Sequence, residues 1–283
     1  MFEVMKAIIY GLVEGITEWL PISSTGHLIL VEELLPFSGT SEGFFDMFDV
    51  VIQLGAILAV VVLFWKQIWP FALSGKERAG KTGIGSFIKQ DIITLWFKIL
   101  VSCVPAAVIG ILFDDVFEDL FYNPVCVSIA LIVFGIAFIV IENWNKGRTA
   151  KVTSLSEITY QTALLIGAFQ LIAAVFPGTS RSGATIVGAL LIGVSRTIAA
   201  EYTFFLAIPV MFGASLLKVV KFGFDFTTLE LSLLAVGTVV AFIVSLFILK
   251  FLLSYIKKHD FKVFGWYRIA LGLVVLIYFM YAK

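Results

Sequence analysis

Six stretches of the sequence run for 14 to 22 residues without a charged side chain: Val50–Trp65, Ile99–Phe113, Leu120–Ile141, Tyr202–Leu217, Leu231–Leu249 and Ile269–Ala282. Two lengthen past a single basic residue, back through Lys98 to Ile92 and back through Arg268 to Phe264. A helix needs about 20 mostly apolar residues to cross the roughly 30 Å hydrocarbon core, so six membrane spans are expected. Only 14% of the 283 residues are charged and 60% are apolar, more apolar surface than one soluble core can hide. A soluble enzyme is excluded, and a net charge of zero argues against a nucleic-acid partner. Cys103 and Cys126 lie in apolar stretches without metal-ligand spacing, so disulfide and zinc readings lapse. Met1–Val13 is followed by Glu14 and Glu18 rather than a small-residue cleavage site, so it is expected to stay in the fold rather than be removed as a signal.

Two further apolar segments are broken. Met5–Leu20 meets the polar run Pro21 to Gly26 and then His27–Leu35; Tyr160–Phe176 meets Pro177 to Gly183 and then Ala184–Ile192. Each second arm has nine residues, about 14 Å of helix and half the hydrocarbon core. Neither can cross. Each is expected to be a re-entrant hairpin, because irregular backbone at that depth is tolerated only where it lines a cavity.

Loop charge gives the sidedness. Segments 66–91, 142–157 and 254–263 carry eleven basic residues (Lys66, Lys76, Arg78, Lys81, Lys89, Lys146, Arg148, Lys151, Lys257, Lys258, Lys262), and 37–47, 114–123 and 222–230 carry none. The first set is expected in the cytoplasm, the second outside. Six spans alternate correctly only if hairpin 5–35 opens outward and hairpin 160–193 inward. At an offset of 156, Gly11 falls on Gly167, Glu14 on Gln170, Pro21 on Pro177, Ser23 on Thr179, Ser24 on Ser180 and Phe48 on Phe204. The expected fold is therefore one all-α polytopic membrane domain, 1–283. Residues 1–141 and 158–283 form an inverted repeat of one hairpin plus three spans. Such folds carry their site near the midplane, where broken helices meet.

Glu14 and Glu18 are four apart and share a helix face; carboxylates deep in a membrane cost a few kcal/mol each (roughly 2.5–3.5 for Asp on insertion scales). Ser23, Ser24, Thr25 and Gly26 precede a helix expected to open at His27. They serve either as caps alone or as an anion site made of hydroxyls and N–H groups. Gly178 to Gly183 repeats the design with a cation: Arg181 either clamps phosphate with its planar fork or is a structural partner of Glu14 or Glu18. Two carboxylates and one arginine can hold a diphosphate only if a divalent cation, Mg²⁺ or Ca²⁺, joins them. The residue types alone suggest a metal-dependent phosphate site.

The run Glu14-Gly-Ile-Thr-Glu18-Trp-Leu-Pro-Ile-Ser-Ser-Thr-Gly-His27 resembles the (E/Q)xxxE plus PxSSxxH signature of bacterial undecaprenyl-diphosphate phosphatases, also called bacitracin-resistance proteins. Pro177 to Thr185 resembles that family's PGxSRSxxT motif, and Phe48 to Gly55 and Ala200 to Phe205 fit its pattern, so the likeness spans essentially the whole chain. Asp49 stands where some relatives are expected to carry glutamate. The resemblance implies hydrolysis of undecaprenyl diphosphate to the monophosphate and inorganic phosphate, which recycles the cell-wall lipid carrier and confers bacitracin resistance. It further implies a divalent cation and a site facing the periplasmic side of the bacterial inner membrane. By motif match Glu14 and Glu18 bind metal or handle protons, and Ser24 is the nucleophile. His27 assists proton transfer or takes the nucleophile's place, with attack by water as the third option. Arg181 clamps the phosphates, and Ser23, Thr25, Gly26, Gln170, Thr179, Ser180 and Ser182 complete the substrate site.

The competing reading from the same inverted-repeat architecture is a lipid-phosphate flippase or ion-coupled transporter. Haloperoxidase-like lipid phosphatases need an Arg-Pro dipeptide and a Ser-Arg-x5-His run, and the chain has neither. Gly11 and Gly15 form a small-xxx-small face that serves either packing within the chain or a homodimer.

Overall fold

The computed structural model describes residues 1–72 and 87–281. Lys76, Arg78 and Lys81, three of the basic residues assigned to the cytoplasm, lie outside them, as does Ala282; the side chains of Asp114, Asp115 and Glu118 also lie outside the described set. The elements are α1 (Phe2–Thr17), α2 (Ser24–Leu34), α3 (Phe44–Leu63), α4 (Gln90–Phe121), α5 (Pro124–Trp144), α6 (Tyr160–Val175), α7 (Arg181–Leu191), α8 (Arg196–Phe222), α9 (Thr228–Ile256) and α10 (Lys262–Tyr281). Among the described residues six stretches are long and apolar enough to cross a membrane: α3, Gln90–Gly110 of α4, α5, α8, α9 and α10. These are the six spans expected from the charge-free runs.

One boundary differs. Segment 114–123 does not loop out; α4 continues through it for 32 residues, about 48 Å at 1.5 Å per residue and longer than the hydrocarbon core. No Gly or Pro interrupts Ile111 to Phe121. The break falls at Tyr122-Asn123, where the Asn123 side chain accepts from the Cys126 N–H and Pro124 opens α5. An Asn cap followed by Pro at the first position is a strong helix start.

Both broken segments are hairpins of equal size, a 16-residue arm followed by an 11-residue arm. At the base of the first, Lys6 Nζ donates to the Pro36 carbonyl, Tyr10 OH to Leu35 O at 3.2 Å, and Ser38 N–H to Glu3 at 3.0 Å. The end of α2 therefore returns beside the start of α1. At the base of the second, Val194 bridges to Val152 and Ser195 N–H donates to Val152 O at 2.9 Å.

The second arms open earlier than expected, at Ser24 and Arg181 rather than His27 and Ala184. The caps are Ser23 and Ser180, whose hydroxyls accept from the N–H of Gly26 at 3.3 Å and Gly183 at 3.2 Å. These two serines are the only non-glycine residues with positive φ among the described residues, +74° and +68°. Backbone of this kind costs about 1–3 kcal/mol and persists only where its surroundings impose it. The matching offset at the tips is thus 157, one more than in the first arms, because Gly178 (φ +88°) adds a residue between Pro177 and its cap.

The long helices cross-clamp the hairpins. A Cβ on Gly11 would lie 2.6 Å from the Gly237 carbonyl and one on Gly15 would lie 2.9 Å from that of Ala241, so α1 lies flush on α9. Gly167 sits as closely against the Ser102 backbone of α4. Close backbone approach at small residues is the usual way helices associate in lipid, and the Gly11/Gly15 face is spent inside the chain. Element order repeats as hairpin plus three long helices in 1–144 and 160–281, an arrangement compatible with an inverted repeat.

Candidate functional site

The hairpins meet tip to tip. Glu18 N–H donates to Glu14 O at 3.0 Å and Glu18 keeps helical dihedrals, so both carboxylates stay on one face of α1. Trp19, fully buried, stacks edge-on against Phe204 at 5.4 Å and anchors the first tip on α8.

Glu18 is the junction. Its Oε2 accepts from Ser24 Oγ at 3.0 Å and its Oε1 from Arg181 Nη2 at 2.7 Å. Ser24 and Arg181 are the first residues of α2 and α7, directly after the two positive-φ serines, so the same bend in each tip aims a side chain at one carboxylate. The second Arg181 nitrogen donates to Thr203 O at 3.0 Å. Ser182 Oγ donates to the Glu18 carbonyl at 3.2 Å and lies 3.1 Å from Ser180 Oγ. Thr25 stands half-buried beside Ser24.

Around this junction lies buried polarity with no protein partner: both Glu14 carboxylate oxygens, both Gln170 amide atoms and Thr179 Oγ1. Buried polar groups are nearly always hydrogen-bonded, and a buried carboxylate without a donor is costlier still. Glu14 and Gln170 are the pair matched at an offset of 156. Among the described residues no three His, Cys, Asp or Glu side chains converge to cage a metal. A cation held partly by protein and partly by phosphate oxygens does fit: Glu14 offers two uncommitted oxygens, and each Glu18 oxygen, with one donor, keeps a lone pair.

His27 is placed differently from expectation. Its Nδ1 lies 2.7 Å from the Ser23 carbonyl and its Nε2 lies 2.7 Å from Tyr267 OH, with the two rings stacked at 5.6 Å. A carbonyl partner assigns the proton to Nδ1, and the basic Nε2 then faces Tyr267. The residue on the Ser24 hydroxyl is Glu18.

Two residues escaped the motif reading. Arg268, fully buried on α10, donates from Nη1 to Pro21 O at 3.3 Å and from Nη2 to Gly178 O at 2.9 Å and Thr179 O at 2.6 Å. It bolts the tips together. Its signal was present, a single charge inside the apolar run 264–282, and the argument made for Glu14 applies equally to it. Tyr267, an aromatic in an aromatic-rich span, had no such signal.

A cleft of about 370 Å³ at the Glu42–Gly43 end shares Asp46 and Lys218 with one of about 160 Å³ lined by Asp49 and by Pro177 of the second tip.

The sequence profile of one family, described as Bacitracin resistance protein BacA, matches residues 7–274. An undecaprenyl-diphosphatase of Desulfitobacterium hafniense is 64% identical over 279 residues, 99% of this chain and 97% of that protein. Undecaprenyl-diphosphatase 1 of Clostridium acetobutylicum is 63% identical, with 98% of each chain covered. An undecaprenyl-diphosphatase of Enterococcus faecalis is 60% identical over 97% of this chain and 96% of its own.

Proposed function

The chain belongs to the bacitracin resistance protein BacA family, and from that premise we propose that it hydrolyses undecaprenyl diphosphate to undecaprenyl phosphate and inorganic phosphate. This activity recycles the cell-wall lipid carrier and underlies bacitracin resistance. One observation carries the mechanism: Glu18 holds Ser24 and Arg181, one from each hairpin tip.

Glu18 takes the Ser24 proton as Oγ attacks the terminal phosphorus. The bond to the bridging oxygen breaks, and its electron pair leaves with undecaprenyl phosphate. Arg181 exchanges Glu18 for the phosphate oxygens, a two-point grip its planar fork is shaped for. Water then attacks the phosphoserine phosphorus and passes its proton to Glu14, the bond from phosphorus to Ser24 Oγ breaks, and Glu18 returns to Oγ the proton it took, freeing inorganic phosphate. Ser23, Thr25, Gly26, Thr179, Ser180, Ser182 and Gln170 line the phosphate seat, and positioning does most of the work in phosphoryl transfer. His27, fixed by Tyr267, orients the first turn of α2. A divalent cation, Mg²⁺ or Ca²⁺, would be held by Glu14 and Glu18 and would neutralise diphosphate charge.

The protein resides in the bacterial inner membrane with this site toward the periplasm. The basic segments 142–157 and 254–263 support that orientation, as do segments 37–47, 114–123 and 222–230, which carry no basic residue. Rapid mixing with labelled diphosphate and an acid quench tests the mechanism. Label is expected on Ser24, stable to acid and absent from Ser24→Ala. Acid-labile label that persists in Ser24→Ala would assign the attack to His27, and wild-type protein that never traps label would assign it to water.

A further inference from the structure

Another cleft, of about 410 Å³, lies at the base of the second hairpin, where α5, α7 and α9 end and α8 begins. Four basic side chains and one carboxylate line it, a net charge of +3. The carboxylate is spoken for: buried Glu142 receives the Arg196 guanidinium, with Nε–Oε1 at 2.9 Å, and the Phe261 N–H at 3.0 Å. The other three cations, Arg148, Lys151 and Lys257, are exposed and form no salt bridge within 4 Å among the described residues, the Glu201 carboxylate of α8 acting on Lys257 only from farther off. Arg148 is held in place, its guanidinium 4.1 Å from the centre of the Trp144 ring. Like charges gathered round one concavity repel unless an anion joins them.

The level of the cleft identifies the anion. Three helices that run through or into the membrane end at its wall, at Trp144, Leu191 and Ile256. That is the depth at which headgroups meet hydrocarbon. Leu191 lines the same cleft and is 52% exposed, an apolar surface continuous with the charged one. We propose that this cleft is a lipid site, with Arg148, Lys151 and Lys257 gripping the phosphate of an anionic phospholipid headgroup and an acyl chain lying along Leu191. The proposal rests on the membrane placement and is independent of the hydrolytic reading, whose residues lie at the hairpin tips. The cations act on one phosphate through shared charge, and each is worth about fivefold in affinity.

Native mass spectrometry of the full chain tests it, after equilibration in micelles carrying phosphatidylglycerol, phosphatidylcholine or inorganic phosphate. Wild type is expected to retain phosphatidylglycerol over phosphatidylcholine. The triple variant Arg148→Gln, Lys151→Gln, Lys257→Gln should lose about a hundredfold of that affinity while releasing phosphate from substrate at the wild-type rate. If the triple variant fails to fold, Lys257→Gln alone, at an exposed helix end, should show the fivefold loss. Equal retention of the two lipids, or unchanged retention in the variants, would overturn the proposal. Inorganic phosphate bound without retention of phosphatidylglycerol would overturn the lipid assignment too, since the cleft would then take a free anion.

Discussion

Arg268→Met tests how far the fold depends on one buried cation. The substitution keeps much of the side-chain volume and removes donors to three carbonyls, those of Pro21, Gly178 and Thr179. A hydrogen bond from a charged group is worth about 1.5–3 kcal/mol, but these three share two nitrogens and are not additive. A buried acceptor stripped of its donor costs about 1–3 kcal/mol, so three carbonyls left together, less than additively, come to about 3–5 kcal/mol. We expect Arg268→Met to lose stability in that range, a large fraction of the roughly 5–15 kcal/mol that holds a typical fold. Reversible unfolding in mixed micelles, followed by tryptophan fluorescence, reads the loss. Arg268→Lys, whose ammonium can reach one tip but not both, should fall between. Turnover should drop further than the folded fraction in both variants, because loosened tips carry Arg181 away from Glu18. A loss under about 1 kcal/mol in Arg268→Met would show that the tips hold together without the bolt.

Arg181→Lys keeps the charge but not the fork that reaches both Glu18 and Thr203 O, so phosphate release should fall about 10²–10³-fold in a folded protein. Near-wild-type turnover would mean that charge alone suffices. Excess chelator should abolish phosphate release and added Mg²⁺ or Ca²⁺ should restore it, with Glu14→Gln raising the concentration needed; full activity in chelator would remove the cation from the site. Cysteines introduced at Glu42 and Arg148, both exposed, should react with an impermeant thiol reagent from opposite faces, Glu42 in intact cells and Arg148 in inside-out vesicles. Labelling of both from one face would break the topology.

Spans were legible because a bilayer imposes one length and one polarity on every helix that crosses it. The hairpins were legible for the converse reason, since an arm too short to cross must turn back. Their tips were read one turn late. In Ser23-Ser24-Thr25-Gly26 any of three hydroxyls can cap, and composition does not say that the first one takes a positive φ. The site residues lay close in sequence to strong motifs, yet their pairing did not. That Ser24 bonds Glu18 while His27 turns to Tyr267, 240 residues along the chain, is decided by how α10 packs on α2. Local spacing carries no record of that. The end of α4 was misplaced because acidic residues read as loop, although nothing between Gly110 and Tyr122 stops a helix.

The cross-clamping of the hairpins also sets a timetable. Gly11 rests on Gly237, about 230 residues downstream, which a ribosome adding about 5–20 residues per second reaches only some 10–50 s later. Throughout that interval the first hairpin exists with two carboxylates, without Arg181 for most of it and without the helix it lies on. Until nearly the whole chain has been made, α1 lacks the Gly237 and Ala241 backbone that it packs against in the finished fold. Fragments 1–144 and 145–283 made separately should each be degraded, and made together they should assemble, because each supplies the long helix that the other's hairpin requires.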